Sequence, residues 1–248
     1  MSKEYKIEKQ VKVRDRLINI PLVYKCEVIN LVFTASTKAA KEAINCPKLK
    51  PIEIYPSRSL MFVTLFNFSE TPVDPYTEIT YSIPVNYNKL TVPFFSFLSQ
   101  AITNKFNFFV HTIAQSTEFA IEHGTIINGY PHYNNVINSE YVHQGDNLSV
   151  KVKCQDQEVV SLDLTKPKNV KHKEESFLTY KYQDNAISSL LMETEGDVGM
   201  AKVNDLQFGN HELSMMLKKM KIGSHPIDSR YYKDTTKIIN QQKLIEKL

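Results

Sequence analysis

A histidine in a conformationally restricted segment is the most promising reactive side chain of this sequence. It is His132, the last residue of the stretch Gly-Thr-Ile-Ile-Asn-Gly-Tyr-Pro-His at 124–132. Pro131 fixes its own φ and pushes Tyr130 towards an extended conformation, so the backbone aims the side chain that follows. We expect Gly124 to end a short helix with a positive φ, and His132 to begin a strand. An imidazole titrates near neutral pH and can therefore act as a general acid or base.

This stretch and three further segments resemble a known family. Gly124, Gly129, Tyr130 and Pro131 match the segment G-R-E-x-x-[GA]-[YF]-P-K of the acetoacetate decarboxylase superfamily. The further segments similar to that family are Ile29–Phe33 before an Ala-rich helix, Tyr76-Thr77-Glu78 followed by Ile83-Pro84-Val85, and Phe208-Gly209-Asn210-His211 with Leu217 and Gly223. They occur in the family's order, and the resemblance covers residues 25–240.

The chemistry that the resemblance implies lacks its central residue here. In active members a lysine attacks a β-keto acid, and the iminium that forms is an electron sink for the loss of CO₂. That lysine falls on His132, and an imidazole has no primary amine with which to form an imine. The lysine that often follows it falls on Tyr133, and a family arginine falls near Cys26. Of the usual polar set, the resemblance retains only the carboxylate of Glu78.

The resemblance makes His132 and Glu78 the candidate catalytic residues, with His132 as acid or base and Glu78 orienting a ligand. The residues expected at the ligand pocket are Tyr130, Tyr133 and Tyr76. Each catalytic candidate also has a purely structural interpretation, His132 as a buried hydrogen-bonded histidine and Glu78 as an exposed strand residue. Lys105 and Lys202 would replace the missing amine if they reached the interior, but a lysine is by default solvated.

The composition excludes several classes of protein. The chain has 248 residues, of which 42% are apolar and 23% charged, as in a globular domain with a sizeable core. A net charge of +3, without a Lys/Arg cluster among stacking aromatics, argues against a nucleic-acid partner. The richest apolar runs, residues 60–68 and 106–114, are far too short to span a membrane as helices.

Cysteine and histidine usage and the N-terminal sequence indicate a cytoplasmic protein without a cofactor. The three cysteines are far apart and form no CxxC pair, so we expect a reducing compartment. The charged N-terminus lacks the apolar run of a signal peptide. The seven histidines show no spacing typical of a metal site, so neither a metal nor a cofactor is predicted.

Apolar alternation and β-branched content predict many strands and few helices. The predicted strands are 23–34, 60–68, 78–85, 107–114, 148–154, 158–164, 176–182, 200–208 and 235–239, and the predicted helices are 37–45, 115–123 and one that Asn210 caps and Gly223 closes. Residues 184–198 fit either a helix or a loop. Without strict strand–helix alternation, we expect a mainly β fold, with a large curved antiparallel sheet closing into a barrel or cone around a buried cavity.

The chain is expected to form a single domain. This β-barrel domain spans residues 25–240, after an N-terminal segment of residues 1–24 whose first 18 residues are charged and frayed or packed at an edge. Residues 241–248 are expected to be a polar tail. Members of the family that the chain resembles commonly form oligomers, so a homo-oligomer is expected.

Three functions compete. The first is a divergent enzyme acting on a small oxo acid, and its alternative within the same class is an active decarboxylase that uses another residue. The second is a binding protein that keeps an enclosed apolar cavity for a small carboxylic or oxo acid without turnover. The third is a structural protein whose interior is filled by its own side chains. A cavity of roughly a few hundred Å³ with His132 and Glu78 converging on it favours the first two.

Overall fold

The computed structural model describes residues 5–88, 92 and 94–248. In chain order its strands are β1 Lys9–Val13, β2 Arg16–Ile20, β3 Leu22–Ser36, β4 Leu49–Pro51, β5 Glu53–Tyr55, β6 Arg58–Glu70, β7 Tyr76–Tyr87, β8 Lys105–Gln115, β9 Ile137–Gln144, β10 Asn147–Cys154, β11 Gln157–Thr165, β12 Lys171–Gln183, β13 Ala186–Met200, β14 Lys202–Phe208, β15 Asp228–Ile239 and β16 Lys243–Lys247. Its helices are α1 Thr37–Ile44, α2 Phe95–Thr103, α3 Glu118–Ile127 and α4 Glu212–Lys219.

Seven of the strands close into a barrel. Their order is β7-β8-β12-β13-β15-β3-β6, and β6 pairs with β7 to complete the circle. Six of these seven pairings are antiparallel, and β8 and β12 run parallel. A parallel pair needs a long crossover, and α3 with the strands β9 to β11 provides it. The predicted mainly antiparallel sheet that closes into a barrel is therefore confirmed, with one parallel pair added.

The strand β3 shows how the barrel separates its two faces. Alternate residues Tyr24, Val28 and Asn30 point into the barrel. The intervening residues Ile29 and Leu31 are fully buried on the outside, where they join a second apolar cluster. Because side chains alternate along a strand, one strand contributes to both the barrel interior and the outer core.

The outer core is covered by a four-stranded sheet with the order β14-β11-β10-β9. Leu148, Val150 and Val152 of β10 are fully buried in the same cluster as the outward residues of β3. The hairpin predicted at 148–164 is present, and its turn residues Gln155 and Asp156 have φ of 48° and 62°. Two consecutive positive φ angles are typical of the tight turns that join twisted antiparallel strands.

The helices lie between strands. Helix α1 begins as predicted, because the Ser36 side chain accepts a hydrogen bond from the Ala39 N–H. Helix α4 is capped by His211 rather than Asn210, since the His211 ring accepts from the Leu213 N–H at 3.3 Å. The helix was expected to be closed by Gly223, but the residue with a positive φ after it is Lys221, at 51°. No described helix has the length and apolar character that crossing a membrane requires.

Both ends of the chain contain strands where none was predicted. Strands β1 and β2 form a hairpin that buries Val13, Ile18 and Ile20, whereas residues 1–18 were expected to be frayed or edge-packed. Strand β16 lies within the expected polar tail, 241–248, and pairs with β13. Of the residues that were ambiguous between helix and loop, 184–198, Asp184 and Asn185 form a turn and the rest belong to β13. In all three places, strand pairing outweighs a weak local pattern: β1 and β2 pair with each other, whereas β13 and β16 pair with strands of the barrel sheet.

Candidate functional site

His132 follows a helix that continues past the glycine expected to end it. Helix α3 begins after Thr117, whose hydroxyl caps it, and runs to Ile127 instead of spanning residues 115–123. The prediction that Gly124 ends the helix with a positive φ is wrong, because Gly124 lies inside α3. Gly129, with a φ of +60°, makes that turn instead. The segment still brings His132 back towards the barrel.

One isolated β-bridge to β8, made of two hydrogen bonds, holds the backbone around His132. His132 forms an isolated parallel bridge with Ile113, rather than beginning the predicted strand. The Ile113 N–H donates to the Pro131 carbonyl at 3.2 Å, and the Ile113 carbonyl accepts from the Tyr133 N–H at 2.7 Å. These two bonds fix the residues on both sides of His132 against the barrel wall.

The hydrogen bond of Nδ1 defines the protonation pattern of the His132 ring. Nδ1 lies 2.9 Å from the Tyr130 carbonyl oxygen, which only accepts, so Nδ1 carries the proton. In the neutral ring Nε2 therefore keeps its lone pair. Burial lowers the pKa of His132, while the charge of Glu78 and the bond to Tyr130 act in the opposite direction. The net direction favours a neutral imidazole at neutral pH.

Gly124 provides the space that this ring occupies. A Cβ added at Gly124 would lie 2.4 Å from the His132 Nε2 and 2.8 Å from its Cε1. Both distances are far below ordinary van der Waals contact, so any other residue at position 124 would displace the ring. The glycine of the family-like segment is thus required for close approach rather than for backbone conformation.

Glu78 is a buried and well-ordered carboxylate. It lies on β7, opposite Phe66 of β6 and Gln115 of β8, and only 7% of its surface is exposed. Its Oε1 accepts a hydrogen bond from the Thr80 hydroxyl at 2.8 Å, and its Oε2 accepts one from the Gln115 amide at 2.8 Å. The interpretation of Glu78 as an exposed strand residue is therefore wrong, and both its oxygens are held in fixed directions.

His132 and Glu78 line one cavity inside the barrel. Its volume is about 120 Å³, smaller than the few hundred Å³ expected from the sequence. Aromatic rings form much of its wall: Phe62, Phe66, Phe68, Phe108 and Phe177. An apolar cavity of about 150 Å³ holds a molecule of the size of benzene. The space therefore suits a ligand of roughly six non-hydrogen atoms.

The three tyrosines expected at the pocket separate into two groups. Tyr130 and Tyr76 are buried and line the cavity, and the Tyr130 hydroxyl bonds to Thr179. Tyr133 is not among the lining residues, because its side chain turns towards α4 and its hydroxyl donates to the Glu212 carboxylate. Burial and this carboxylate raise the pKa of Tyr133 to about 12. Tyr133 therefore connects the segment to α4.

The cavity also contains a lysine that no sequence motif indicated. Lys237 of β15 lines the cavity and is 6% exposed. Its neighbours at alternate positions, Thr235 and Ile239, line the cavity too, and this alternation is the one sequence signal that points to it. The two lysines considered earlier, Lys105 and Lys202, are both exposed.

A second histidine lies beside His132. His123 of α3 is 1% exposed, and its Nε2 is 3.2 Å from the Tyr24 hydroxyl. Within the described part of the chain its Nδ1 has no hydrogen-bond partner. Burial, with a contribution from His132, lowers the pKa of His123 to about 4. This histidine is therefore neutral under ordinary conditions and belongs to the wall of the cavity.

Cys26 and the metal-binding residue types add no reactive centre. Cys26 is buried next to the cavity, and burial raises the pKa of its thiol to about 12 although the Lys237 charge acts against this. A thiol with this pKa is protonated and unreactive. Across residues 5–88, 92 and 94–248, no three His, Cys, Asp or Glu side chains are grouped as a metal ion would require.

The fold and site together define a class: a closed β-barrel whose small aromatic cavity contains an imidazole, a carboxylate and an amine. A family profile described as acetoacetate decarboxylase (ADC) matches residues 10–207. The chain therefore belongs to the acetoacetate decarboxylase family. A search of curated proteins found no match.

Solved structures share the fold over almost the whole chain. An acetoacetate decarboxylase from Legionella pneumophila is 13% identical with a TM-score of 0.63, covering 92% of this chain and 88% of its own. Another acetoacetate decarboxylase structure is 17% identical with a TM-score of 0.61, covering 92% and 90%. The enduracididine biosynthesis enzyme MppR, complexed with pyruvate, is 12% identical with a TM-score of 0.60, covering 92% and 91%. At these identities the likeness establishes the fold.

Proposed function

We propose that this protein binds a small oxo or carboxylic acid in its barrel cavity, and that His132 in the place of the Schiff-base lysine alters or abolishes decarboxylase activity. The observation that carries this is the position of His132 and Glu78 on one cavity of about 120 Å³. An imidazole forms no imine with a ketone, so the route through a covalent intermediate is closed at position 132.

The roles of the two residues follow from their hydrogen bonds. His132 donates from Nδ1 to the Tyr130 carbonyl, so its Nε2 keeps the lone pair with which an imidazole accepts a proton or a hydrogen bond. This edge of the ring packs against Gly124 of α3. Glu78, held by two donors, orients the ligand rather than moving towards it. Tyr130 and Tyr76 provide walls. The pyruvate complex of the fold relative MppR supports an oxo acid as the ligand class.

The alternative is an active decarboxylase, or another carbon–carbon lyase, acting on a β-keto acid through a different residue. One observation favours it, because Lys237 places a primary amine in the cavity. The two functions differ in a measurable way, since only a lysine can form an iminium with the substrate.

Borohydride trapping and a binding measurement test the proposal together. Incubation with acetoacetate and borohydride is expected to leave the intact mass unchanged, and no CO₂ release above background is expected. His132→Lys restores the amine and should gain the reduced adduct. Ligand-observed NMR should detect binding of acetoacetate or pyruvate to the native chain. Met192→Trp, which fills the cavity from its wall, should abolish that binding.

Two outcomes would contradict the proposal. If the native chain binds neither acid, or if Met192→Trp binds them equally well, the cavity is not the site. A reduced adduct on the native chain would favour the active decarboxylase, and peptide mapping would identify the lysine.

We also propose that the protein is a cytoplasmic homo-oligomer. Helix α2 and the residue before it present an exposed apolar face of Phe94, Phe95, Leu98 and Ile102. Exposed clusters of this kind are typical of protein interfaces. Sedimentation should show an assembly larger than the monomer, and Ile102→Glu should dissociate it. The three cysteines are free and buried, which supports a reducing compartment.

A further inference from the structure

Lys237 occupies an unusual position for a lysine. It lies on β15, between Thr194 of β13 and Tyr24 of β3, and all three side chains line the cavity. Its exposed fraction is 6%, although a lysine is rarely buried without a partner. The burial of this ammonium group therefore has to be explained by the groups around it.

Two aromatic rings lie beside the Lys237 ammonium. Its Nζ lies 4.0 Å from the centroid of the Phe66 ring and 5.5 Å from that of Phe68. The two rings are stacked, with centroids 5.3 Å apart and planes at 9°. A ring face attracts a cation, so this arrangement suits an ammonium group.

No residue of the described part of the chain forms an ion pair with Lys237. Among the described residues, no carboxylate lies within ion-pair distance of Lys237 and no acceptor receives a hydrogen bond from its Nζ. Aromatic faces only partly replace the water that a buried cation has lost. An anion entering the cavity would supply the missing partner.

The charges of the other cavity residues indicate where an anion would bind. The two Glu78 oxygens accept from Thr80 and Gln115, and Glu78 would repel a second carboxylate. Burial lowers the pKa of His132 and so favours its neutral form. Lys237 is therefore the fixed cation among the described residues that line the cavity. Phe66 lies directly opposite Glu78 on the neighbouring strand and contacts Lys237 with its ring.

We propose that the Lys237 ammonium binds the carboxylate of a small oxo acid that occupies the barrel cavity. This rests on the proposed function, because it specifies how the same cavity selects its ligand. The ligand class is a monoanionic acid of about six non-hydrogen atoms. Lys237 acts here by charge alone and forms no covalent bond.

The first test needs no variant and compares two ligands of the same size. Pyruvate carries a carboxylate, and pyruvamide replaces it with a neutral amide. The native chain is expected to bind pyruvate at least about tenfold more tightly than pyruvamide, measured by NMR titration. Equal affinities would overturn the proposal while leaving a cavity that binds oxo compounds. Binding of neither ligand would overturn both proposals.

Two substitutions at position 237 separate charge from nucleophilicity. Lys237→Met keeps an unbranched apolar side chain and should remove the preference for pyruvate. Lys237→Arg keeps the charge without a primary amine and should retain that preference to within about fivefold. Thermal unfolding of each variant checks that it is folded. Full pyruvate affinity in folded Lys237→Met, or a borohydride adduct on Lys237 of the native chain, would overturn the proposal.

Discussion

His132 and Lys237 line the same cavity but come from very different sequence contexts. His132 ends a segment with two glycines and a proline that resembles a catalytic motif, yet its Nδ1 is already bonded to Tyr130 and burial favours its neutral form. Lys237 lies in a plain strand sequence, Thr-Thr-Lys-Ile-Ile, yet it is a buried cation facing two rings. A motif thus predicts where a side chain points, whereas the charge inside a barrel depends on every strand that closes it.

The largest expected effect is that of the buried histidine His123 on the pH dependence of stability. The folded-state pKa of His123 is about 4, below the 6.5 of a free histidine, so the unfolded chain binds a proton first as pH falls. Stability should therefore decrease from about pH 6.5 towards pH 4, with His123 contributing about 2–3 kcal/mol. Urea unfolding at several pH values should show this slope reduced in His123→Gln. The exposed His225→Gln serves as control, and an unchanged slope in His123→Gln would contradict the prediction.

The next effect concerns the support of Glu78. Gln115 is buried and donates to Glu78 at 2.8 Å, a hydrogen bond to a charged group. Gln115→Leu should lower the free energy of unfolding by about 1.5–3 kcal/mol. Thr80→Val removes the other donor, which is only half-buried, and should cost less. If Gln115→Leu costs less than Thr80→Val, the carboxylate does not depend on its buried donor in the way the geometry indicates.

The smallest effect concerns the ring that faces Lys237. Phe66→Leu removes the closer cation–π contact, at 4.0 Å, while keeping an apolar side chain. A double-mutant cycle with Lys237→Met should give a coupling free energy of about 0.5–2 kcal/mol from chemical unfolding. The same cycle with Phe68→Leu, whose ring is 5.5 Å away, should give a smaller coupling. Coupling near zero in the Phe66 cycle would mean that the ring does not stabilise the ammonium.

Much of the barrel was predictable because its strands alternate strongly. The hairpin at 148–164 carries apolar residues at every second position, and the turn between its strands is short. The strands of residues 1–18 and β16 were missed because their local pattern is weak and charged. β1 and β2 form by pairing with each other, and β16 forms by pairing with β13, which is distant in sequence. Local propensity does not report such pairing.

Of the two groups compared, the sequence indicated His132 but not Lys237. Pro131 and Gly129 restrict the backbone locally, which made a fixed direction for His132 predictable, and the hydrogen bonds to Ile113 of β8 complete that restriction. Lys237 was not predictable in this way. A register shift between Tyr232 and Thr235 of β15 decides which face its later residues occupy. A slip of one residue would have turned Lys237 to the outside, and the place of the shift depends on the pairing with the neighbouring strands β3 and β13.

The sequence by itself determined the family, the mainly β class and the absence of an amine at position 132, because these depend on local residue types and their order. Only the tertiary structure decided that Tyr133 lies outside the cavity, that Gly124 makes room for the imidazole, and that a lysine far along the chain lies within it. Those facts depend on which side chains meet after the barrel closes. Closure brings together residues from seven strands, and no short stretch of sequence contains that information.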